Sequence, residues 1–285
     1  MNRKARAARA ASTIIGMTDA KALLPLREVT SRLRILGQHD VGVRTIPIAS
    51  IIGSVDRTVD FDRFFRTGRR QLRKRLDGLR AAFEGREMPP ISVYEAGGMH
   101  FVIDGHHRVA LSREQGSEFI DAQVISIHTS ERLHPGVDFL ELIHTEQHRI
   151  FKERTGLLVH NPDAKILFSR PIGYAELLQV VQAHAYELSA PRGELVPMPE
   201  ATADWFANSW RPALEAIAAS GLAQRFDFKT EGDLYLWTNA KLREMRTVNP
   251  KATWSDAAAA LSREPVTRAH RRETLRQRRK PLPTN

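Results

Sequence analysis

The segment from Phe101 to Ala110 constrains the fold of this chain more than any other part of its sequence. Its first residues form an apolar strand that ends at Asp104, Gly105 allows a tight turn, and a helix is predicted from about His106. A strand that runs straight into a helix leaves the first N–H groups of that helix without acceptors, and the positive end of the helix dipole faces the same place. This arrangement is typical of a site that holds a phosphate or a nucleotide.

The side chains of this turn fit the same chemistry. Gly105 lets an anion approach the backbone closely, and Arg108 can hold phosphate oxygens through two parallel hydrogen bonds. We therefore predict that nucleotide phosphates contact Gly105, His106, His107 and Arg108. One alternative is an ordinary strand-to-helix turn with surface histidines. A metal site is not predicted, because adjacent residues at a helix start point in different directions and no carboxylate is spaced as a third ligand.

The flanking segments predict a compact α+β domain over residues 40–130. Pro47 argues that the first strand is an edge strand or ends there. Gly97-Gly98 can supply the positive φ angles of a tight hairpin turn. The predicted elements are, in order, a strand at 43–48, a helix at 69–83, a hairpin made of 91–94 and 100–103, a helix that ends at Gly116, and a strand at 120–127.

The motif Asp104-Gly105-His106-His107-Arg108, between a hairpin and a Val-Ala-Leu helix, resembles the signature of the ParB/sulfiredoxin superfamily. The similarity covers roughly residues 42–128. In that superfamily, ParB proteins carry a Gly-Glu-Arg-Arg loop and bind CTP, sulfiredoxins carry Gly-Gly-Cys-His-Arg and bind ATP, and free serine kinases carry Asp-Gly-His-His-Arg and use ADP. The resemblance implies a bound nucleotide, either CTP, ATP or ADP, accompanied by Mg²⁺.

The sequence also departs from these relatives. The chain has no cysteine, so sulfiredoxin chemistry is excluded whatever the fold. His106-His107 stands where ParB proteins have Glu-Arg, which puts the ParB form of the CTP site in doubt. No ParB-type helix-turn-helix is recognisable downstream of residue 130.

A second loop, Ser54-Val55-Asp56-Arg57, follows the first strand. ParB proteins place an Arg-containing box near this position, so the resemblance implies that Arg57 reaches the phosphates; the alternative is a polar loop. If the protein is a phosphotransferase, a carboxylate must accept the proton of the substrate hydroxyl, and Asp56 and Asp104 are the catalytic candidates. Asp104 has an alternative role, which is to brace its loop by accepting hydrogen bonds.

The charge of the chain is concentrated at its ends. Residues 1–80 carry a net charge of +11 and residues 265–285 one of +6, whereas the remainder is −7. Within residues 69–83, Leu72, Leu76, Leu79 and Phe83 form one apolar helical stripe. The basic side chains off that stripe are Arg69, Arg70, Arg73, Lys74 and Arg80. They predict contact with the phosphates of DNA, with enhanced solubility as the alternative explanation.

The remaining chain divides by composition. We expect a basic leader at 1–39, a mainly helical domain at 131–262 that holds all four tryptophans, and a basic, disordered tail at 263–285. Phe61, Phe64 and Phe65 have helical spacing and are predicted to face a core. Glu141, His144 and His148 share one helix face, which is typical of a solvated surface more often than of a metal site.

The sequence therefore predicts an α+β, ParB/sulfiredoxin-like N-terminal domain followed by a mainly α-helical domain. The leading function is a ParB-like nucleotide-binding protein that associates with DNA, and the competing function is a small-molecule phosphotransferase or a nucleotide hydrolase. A degenerate domain that only mediates protein contacts is a third alternative. No apolar run approaches the ~18 residues of a membrane helix, so we expect a soluble, cytoplasmic protein with no membrane partner. The sequence is compatible with a homodimer and does not define the oligomeric state.

Overall fold

The computed structural model describes residues 22–67, 78, 80, 88–227 and 229–264. The chain forms two compact units, one that ends at Ile143 and one that begins at His144. The first unit contains a six-stranded sheet in its described residues, and the described residues of the second are helical. The α+β class is thus confirmed. In the described part of the chain, no helix is both long enough and apolar enough to span a membrane.

The sheet of the first unit has the spatial order β1-β3-β5-β4-β6-β2. Its elements along the chain are β1 (Leu24–Pro25), α1 (Leu26–Arg32), β2 (Ile35–Pro47), β3 (Ile51–Ser54), β4 (Ile91–Ala96), β5 (Met99–Asp104), α2 (His106–Glu114) and β6 (Phe119–Thr129). The long helix α3 (Phe139–Thr155) then leads from the first unit into the second. Among the described strands, β2 pairs with β6 alone, in antiparallel orientation, so it is an edge strand, as Pro47 suggests.

The pairing of β3 with β5 determines where the candidate site lies. These two strands run parallel, with Ser54 opposite Val102. Parallel neighbours end at the same edge of a sheet, so the loop that follows Ser54 lies beside the turn that follows Asp104. β4 and β5 form the predicted hairpin, in which Gly97 and Gly98 take φ values of +62° and +80°.

Both faces of the sheet are covered at its central strands, whereas the edge strand β2 is mostly exposed. Val102 belongs to a core that includes Val109 of α2, whereas its neighbour Phe101 belongs to a second core that includes Val29 of α1 and Phe139 of α3. Successive strand residues point to opposite faces, so α2 packs on one face and α1 with the start of α3 on the other. A sheet that is buried on both sides explains why β3 is buried throughout and shows no alternation.

The structure differs from the sequence prediction at the start of this domain. The sequence predicts a basic leader over 1–39, yet residues 24–32 and 35–39 form β1, α1 and the first part of β2. Strand β2 begins at Ile35 instead of Val43, because it continues along β6 as far as Thr129. The predicted boundary at residue 130 also differs from the unit boundary after Ile143, since Leu142 packs in the sheet core.

The second unit buries most of its aromatic residues in one core. Its helices are α4 (Leu157–His160), α5 (Ile172–Ser189), α6 (Met198–Trp205), α7 (Arg211–Ala219), α8 (Leu222–Arg225), α9 (Glu231–Val248) and α10 (Trp254–Arg263), and a π-helical turn at Phe206–Trp210 joins α6 to α7. Trp205 is fully buried and donates its indole N–H to the Tyr235 hydroxyl at 2.8 Å. Helix α10 is capped by Thr253, because Thr253 and Asp256 form a reciprocal capping box.

Gly53 of β3 provides a test of this packing. A Cβ atom at this position would lie 2.3 Å from the Leu24 carbonyl oxygen and 2.3 Å from Cδ1 of Phe101. We expect Gly53→Ala to lower the free energy of unfolding of the first unit by about 1–3 kcal/mol, as overpacking does. Chemical denaturation followed by circular dichroism measures the change.

Gly37 on the edge strand is the matched control, because a Cβ added there would have no atom within 4 Å. Gly37→Ala is expected to change the free energy of unfolding by less than about 0.5 kcal/mol. Equal losses in the two variants would contradict the packing of β3 between β1 and β5.

Candidate functional site

A buried serine–histidine pair joins the two loops at this edge of the sheet. Ser54 Oγ lies 2.8 Å from His106 Nε2, and both side chains are buried. The same hydroxyl accepts the backbone N–H of Arg57 at 3.1 Å. Ser54 therefore connects the end of β3, the loop after it and the first residue of α2. Its role was not predicted, because 52 residues separate the two partners along the chain.

His106 is neutral at physiological pH. Burial, followed by the nearby positive charge of Arg57, lowers the pKa of its imidazole from 6.5 to about 4. Phe61 stacks on the same ring at a centroid distance of 5.7 Å and meets His107 edge-on at 5.4 Å. The imidazole is thus packed in the interior of the candidate site and carries no charge at neutral pH.

The loop around Phe61 is not the predicted helix. Phe61 and Phe65 are buried, but Phe64 is about half exposed. Asp62 accepts the backbone N–H groups of Phe64 and Arg66 at 2.9 Å, which favours a turn in place of a helix. Phe65 takes φ +58°, the one positive φ of a non-glycine residue in the described chain.

A guanidinium beneath this loop holds it against the sheet. Arg113 of α2 donates to the carbonyl oxygens of Arg63 and Ile48 at 2.9 and 3.0 Å and lies over the Phe65 ring. Nothing in the local sequence pattern marks Arg113 for this role, and the prediction missed it.

Gly105 is required by the fold itself. It takes φ +99°, and a Cβ at this position would lie 2.5 Å from Cγ2 of Ile91. The first intrahelical bond of α2 runs from the Val109 N–H to the Gly105 carbonyl, and Gly105, as the N-cap residue, has no side chain that could cap the helix. The first-turn N–H groups of α2 therefore receive no acceptor from the side chain of their own N-cap residue.

Arg108 braces the turn from inside. Its guanidinium donates to the carbonyl oxygens of Pro89 and Pro90 at 2.8 and 2.6 Å and to Asp104 Oδ2 at 2.6 Å. These contacts match the bracing alternative for Asp104. They also commit the two terminal nitrogens of Arg108 to protein acceptors, so its predicted contact with phosphate competes with bonds it already makes.

Unlike Arg108 and Asp104, the side chains of Arg57 and Asp56 are not bonded to other parts of the described structure. Within the described residues, neither side chain forms a hydrogen bond or an ion pair. Arg57 is half-buried and close enough to His106 to lower its pKa, whereas Asp56 is exposed. Of the two arginines predicted to bind phosphate, Arg57 is the one whose guanidinium is available.

The predicted DNA-binding surface is mostly outside the described residues. Arg69, Arg70, Arg73 and Lys74 belong to the part that the structure does not describe, as does the tail from residue 265. Arg80 is described, and it forms an ion pair with Glu114 at 2.5 Å.

The predicted helix face of Glu141, His144 and His148 does not form a metal cluster. Glu141 Oε1 lies 2.6 Å from His134 Nε2, and His148 stacks on Tyr174 at a centroid distance of 5.1 Å. Across the described ranges, no group of three or more His, Asp or Glu side chains is arranged to hold a metal ion.

Known proteins give little further information about this chain. No family model matches it, and no curated protein matches it. It is similar to a solved structure described as the C2221 form of a Pnob8-like ParB-N domain, with 11% identity, 85% of this chain and 98% of that chain covered, and a TM-score of 0.20. A TM-score this low carries no argument about fold or function, so the superfamily resemblance rests on the motif alone.

The buried imidazole of His106 makes stability depend on pH. Its folded-state pKa of about 4 lies below the ordinary value of 6.5, so the unfolded chain binds the proton first as pH falls. This contribution to stability is present above pH 6.5 and is lost as pH drops toward 4. Between pH 7 and pH 5 we expect a loss of about 2 kcal/mol in the free energy of unfolding of the first unit from this group.

The His106→Gln variant removes the titration while keeping a group that can bond to Ser54. Between pH 7 and pH 5, the free energy of unfolding of this variant is expected to fall by about 2 kcal/mol less than that of the parent. NMR titration of the imidazole checks the cause directly. A pKa of His106 near its ordinary value would contradict the buried, neutral state.

Proposed function

We propose that this protein binds the phosphates of a nucleotide at the start of α2, in the way that its resemblance to the ParB/sulfiredoxin superfamily implies. The observation that carries the proposal is the charge of Arg57, which is felt at the start of α2 because it lowers the pKa of His106. The guanidinium of Arg57 forms no bond in the described residues, and the N-cap of that helix is a glycine. Backbone N–H groups at a helix N-terminus favour anions, and a guanidinium adds charge and directed donors.

Each residue of the turn takes a distinct role in this proposal. Gly105, His106 and His107 supply first-turn backbone N–H groups, and Arg57 supplies the main positive charge. Arg108 holds the turn in shape and contacts phosphate only through donor capacity beyond its three internal bonds. CTP, ATP and ADP are the candidate nucleotides, and Mg²⁺ would accompany their phosphates.

The neutral state of His106 supports the same assignment. A cationic imidazole would repel Arg57, and burial removes that charge. Arg57 therefore stays close to the helix start without a competing cation at the position of His106. An incoming phosphate would compensate the charge of Arg57, which lacks a carboxylate partner in the described residues.

Calorimetric titration with CTP, ATP and ADP tests the proposal. Replacing Arg57 with Ala should weaken nucleotide binding at least tenfold, equivalent to about 1.4 kcal/mol. The free energy of unfolding should change little, because the Arg57 side chain makes no bond in the described structure.

Arg44→Ala is the matched control, since Arg44 is an exposed arginine on β2 and should leave the affinity unchanged. Arg108→Ala should lower both stability and affinity, because it deprives Asp104 and the carbonyl groups of Pro89 and Pro90 of their donor. Equal affinities of the parent and Arg57→Ala, or no binding of any of the three nucleotides, would overturn the proposal.

The alternative function is a small-molecule phosphotransferase at the same site. Asp104 is bound to Arg108, but the carboxylate of Asp56 is exposed and unbonded among the described residues. Asp56 is therefore the better placed candidate for the base. Transfer of a labelled phosphate to an amino acid or sugar that is lost in Asp56→Asn but not in Asp104→Asn would favour this enzyme over a binding protein.

The proposed association with DNA depends on charge outside the described residues. Phosphate contacts give a salt dependence with a slope of about −0.9 per phosphate neutralised. Fluorescence anisotropy of a short duplex at ~50 mM salt should therefore show sequence-tolerant binding, and Arg73→Ala should reduce the slope by about one.

Arg80→Ala serves as the comparison, because its ion pair with Glu114 leaves less of its charge for DNA. A chain that ends at Glu264 should bind more weakly. Absence of binding at low salt, or equal binding after charge reversal of the basic residues at 69–74, would remove DNA from the proposal and favour the enzyme.

A further inference from the structure

Two exposed histidines meet on the edge strand β2 and its neighbour β6, outside the loops of the proposed nucleotide site. His39 lies on β2 and His128 on β6, and the register places His128 opposite Gly37, two residues from His39. Residues 37 and 39 share one face of the strand, so the two imidazoles are diagonal neighbours. The Nε2 atom of His128 lies 2.9 Å from Nδ1 of His39, and the ring centroids are 4.8 Å apart.

This contact places two metal-ligating nitrogens at chelating distance. A hydrogen bond between two imidazoles uses one N–H and one lone pair, so the pair shares a single proton along the N···N line. A metal ion that replaces this proton would have two nitrogen ligands. Both rings are exposed, so they can turn their lone pairs toward a common point in solvent.

The distance between the nitrogens in the hydrogen-bonded pair is close to that of two adjacent ligands on one metal ion. With metal–nitrogen bonds of about 2.0–2.1 Å, a separation of 2.9 Å corresponds to a ligand–metal–ligand angle of about 90°. A tetrahedral angle would need a separation of about 3.4 Å at the same bond length. The pair therefore fits adjacent positions of a square-planar or octahedral ion better than the tetrahedral geometry of a structural zinc.

We propose that His39 and His128 form a surface chelate site for a divalent transition metal of square-planar or octahedral preference, with Cu²⁺ bound more tightly than Ni²⁺. Imidazole nitrogen suits both ions, and Cu²⁺ is the tightest binder in the divalent series. The chain has no cysteine that could compete through a thiolate. Water completes the coordination, because no third His, Asp or Glu of the described chain joins the pair in a metal-holding group.

Calorimetric titration of the full chain with Cu²⁺ in a buffer that does not chelate the ion, such as MES, tests this site. The chain has 11 histidines, and several of them can bind Cu²⁺ weakly. The quantity to compare between variants is therefore the dissociation constant of the most tightly bound equivalent of Cu²⁺. His39→Ala and His128→Ala should each weaken that equivalent at least tenfold. The double variant should match the single variants, because either change alone destroys the chelate.

His134→Ala is the control, because His134 is also exposed and hydrogen-bonded, but to a carboxylate of Glu141. It should leave the tightest equivalent in place. Electron paramagnetic resonance of the Cu²⁺ complex should show coupling to two imidazole nitrogens in the parent and to at most one in His39→Ala. Retention of the tightest equivalent in both single variants, or its loss in His134→Ala, would overturn the proposal.

Discussion

The parallel pairing of β3 with β5 is the constraint on which the candidate site depends. It brings the ends of two strands from distant parts of the chain to one edge of the sheet. Without this strand pairing, the loop that carries Arg57 and the turn that carries Gly105 would not lie side by side. The hydrogen bond between Ser54 and His106 closes this junction, and its burial makes it costly to leave either partner unsatisfied.

Burial also determines the electrostatics of the site. A neutral His106 next to Arg57 avoids two adjacent positive charges in a poorly solvated place. The remaining positive potential comes from Arg57 and from the start of α2, both of which favour an anion. Arg108, in the first turn of the helix, contributes less, because Asp104 compensates its charge within the turn.

The elements that the sequence predicted correctly are those whose signals are local. The hairpin at Gly97-Gly98 and the turn at Gly105 follow from backbone conformations that glycine favours, and α2 follows directly from that turn. Strand β3 has no such signal, since four buried apolar or small residues show no alternation. The bonds of Ser54 and Arg108 join residues 52 and 18–19 positions away, so no spacing rule could reveal them. The α+β class was predictable, as was the bond between Asp104 and Arg108, which are four residues apart. The long-range contacts that build the site were not.

Most residues of the motif Asp104-Gly105-His106-His107-Arg108 have a structural role in the fold. Asp104 pairs with Arg108, Gly105 fits against Ile91, and His106 bonds to Ser54. Each of these contacts would stabilise the same strand-to-helix turn whether or not a ligand binds. The motif is therefore better support for the shape of the turn than for a particular nucleotide. Arg57 lies outside the motif, and its side chain forms no bond in the described residues, so its position beside the helix start is the stronger argument for an anionic ligand.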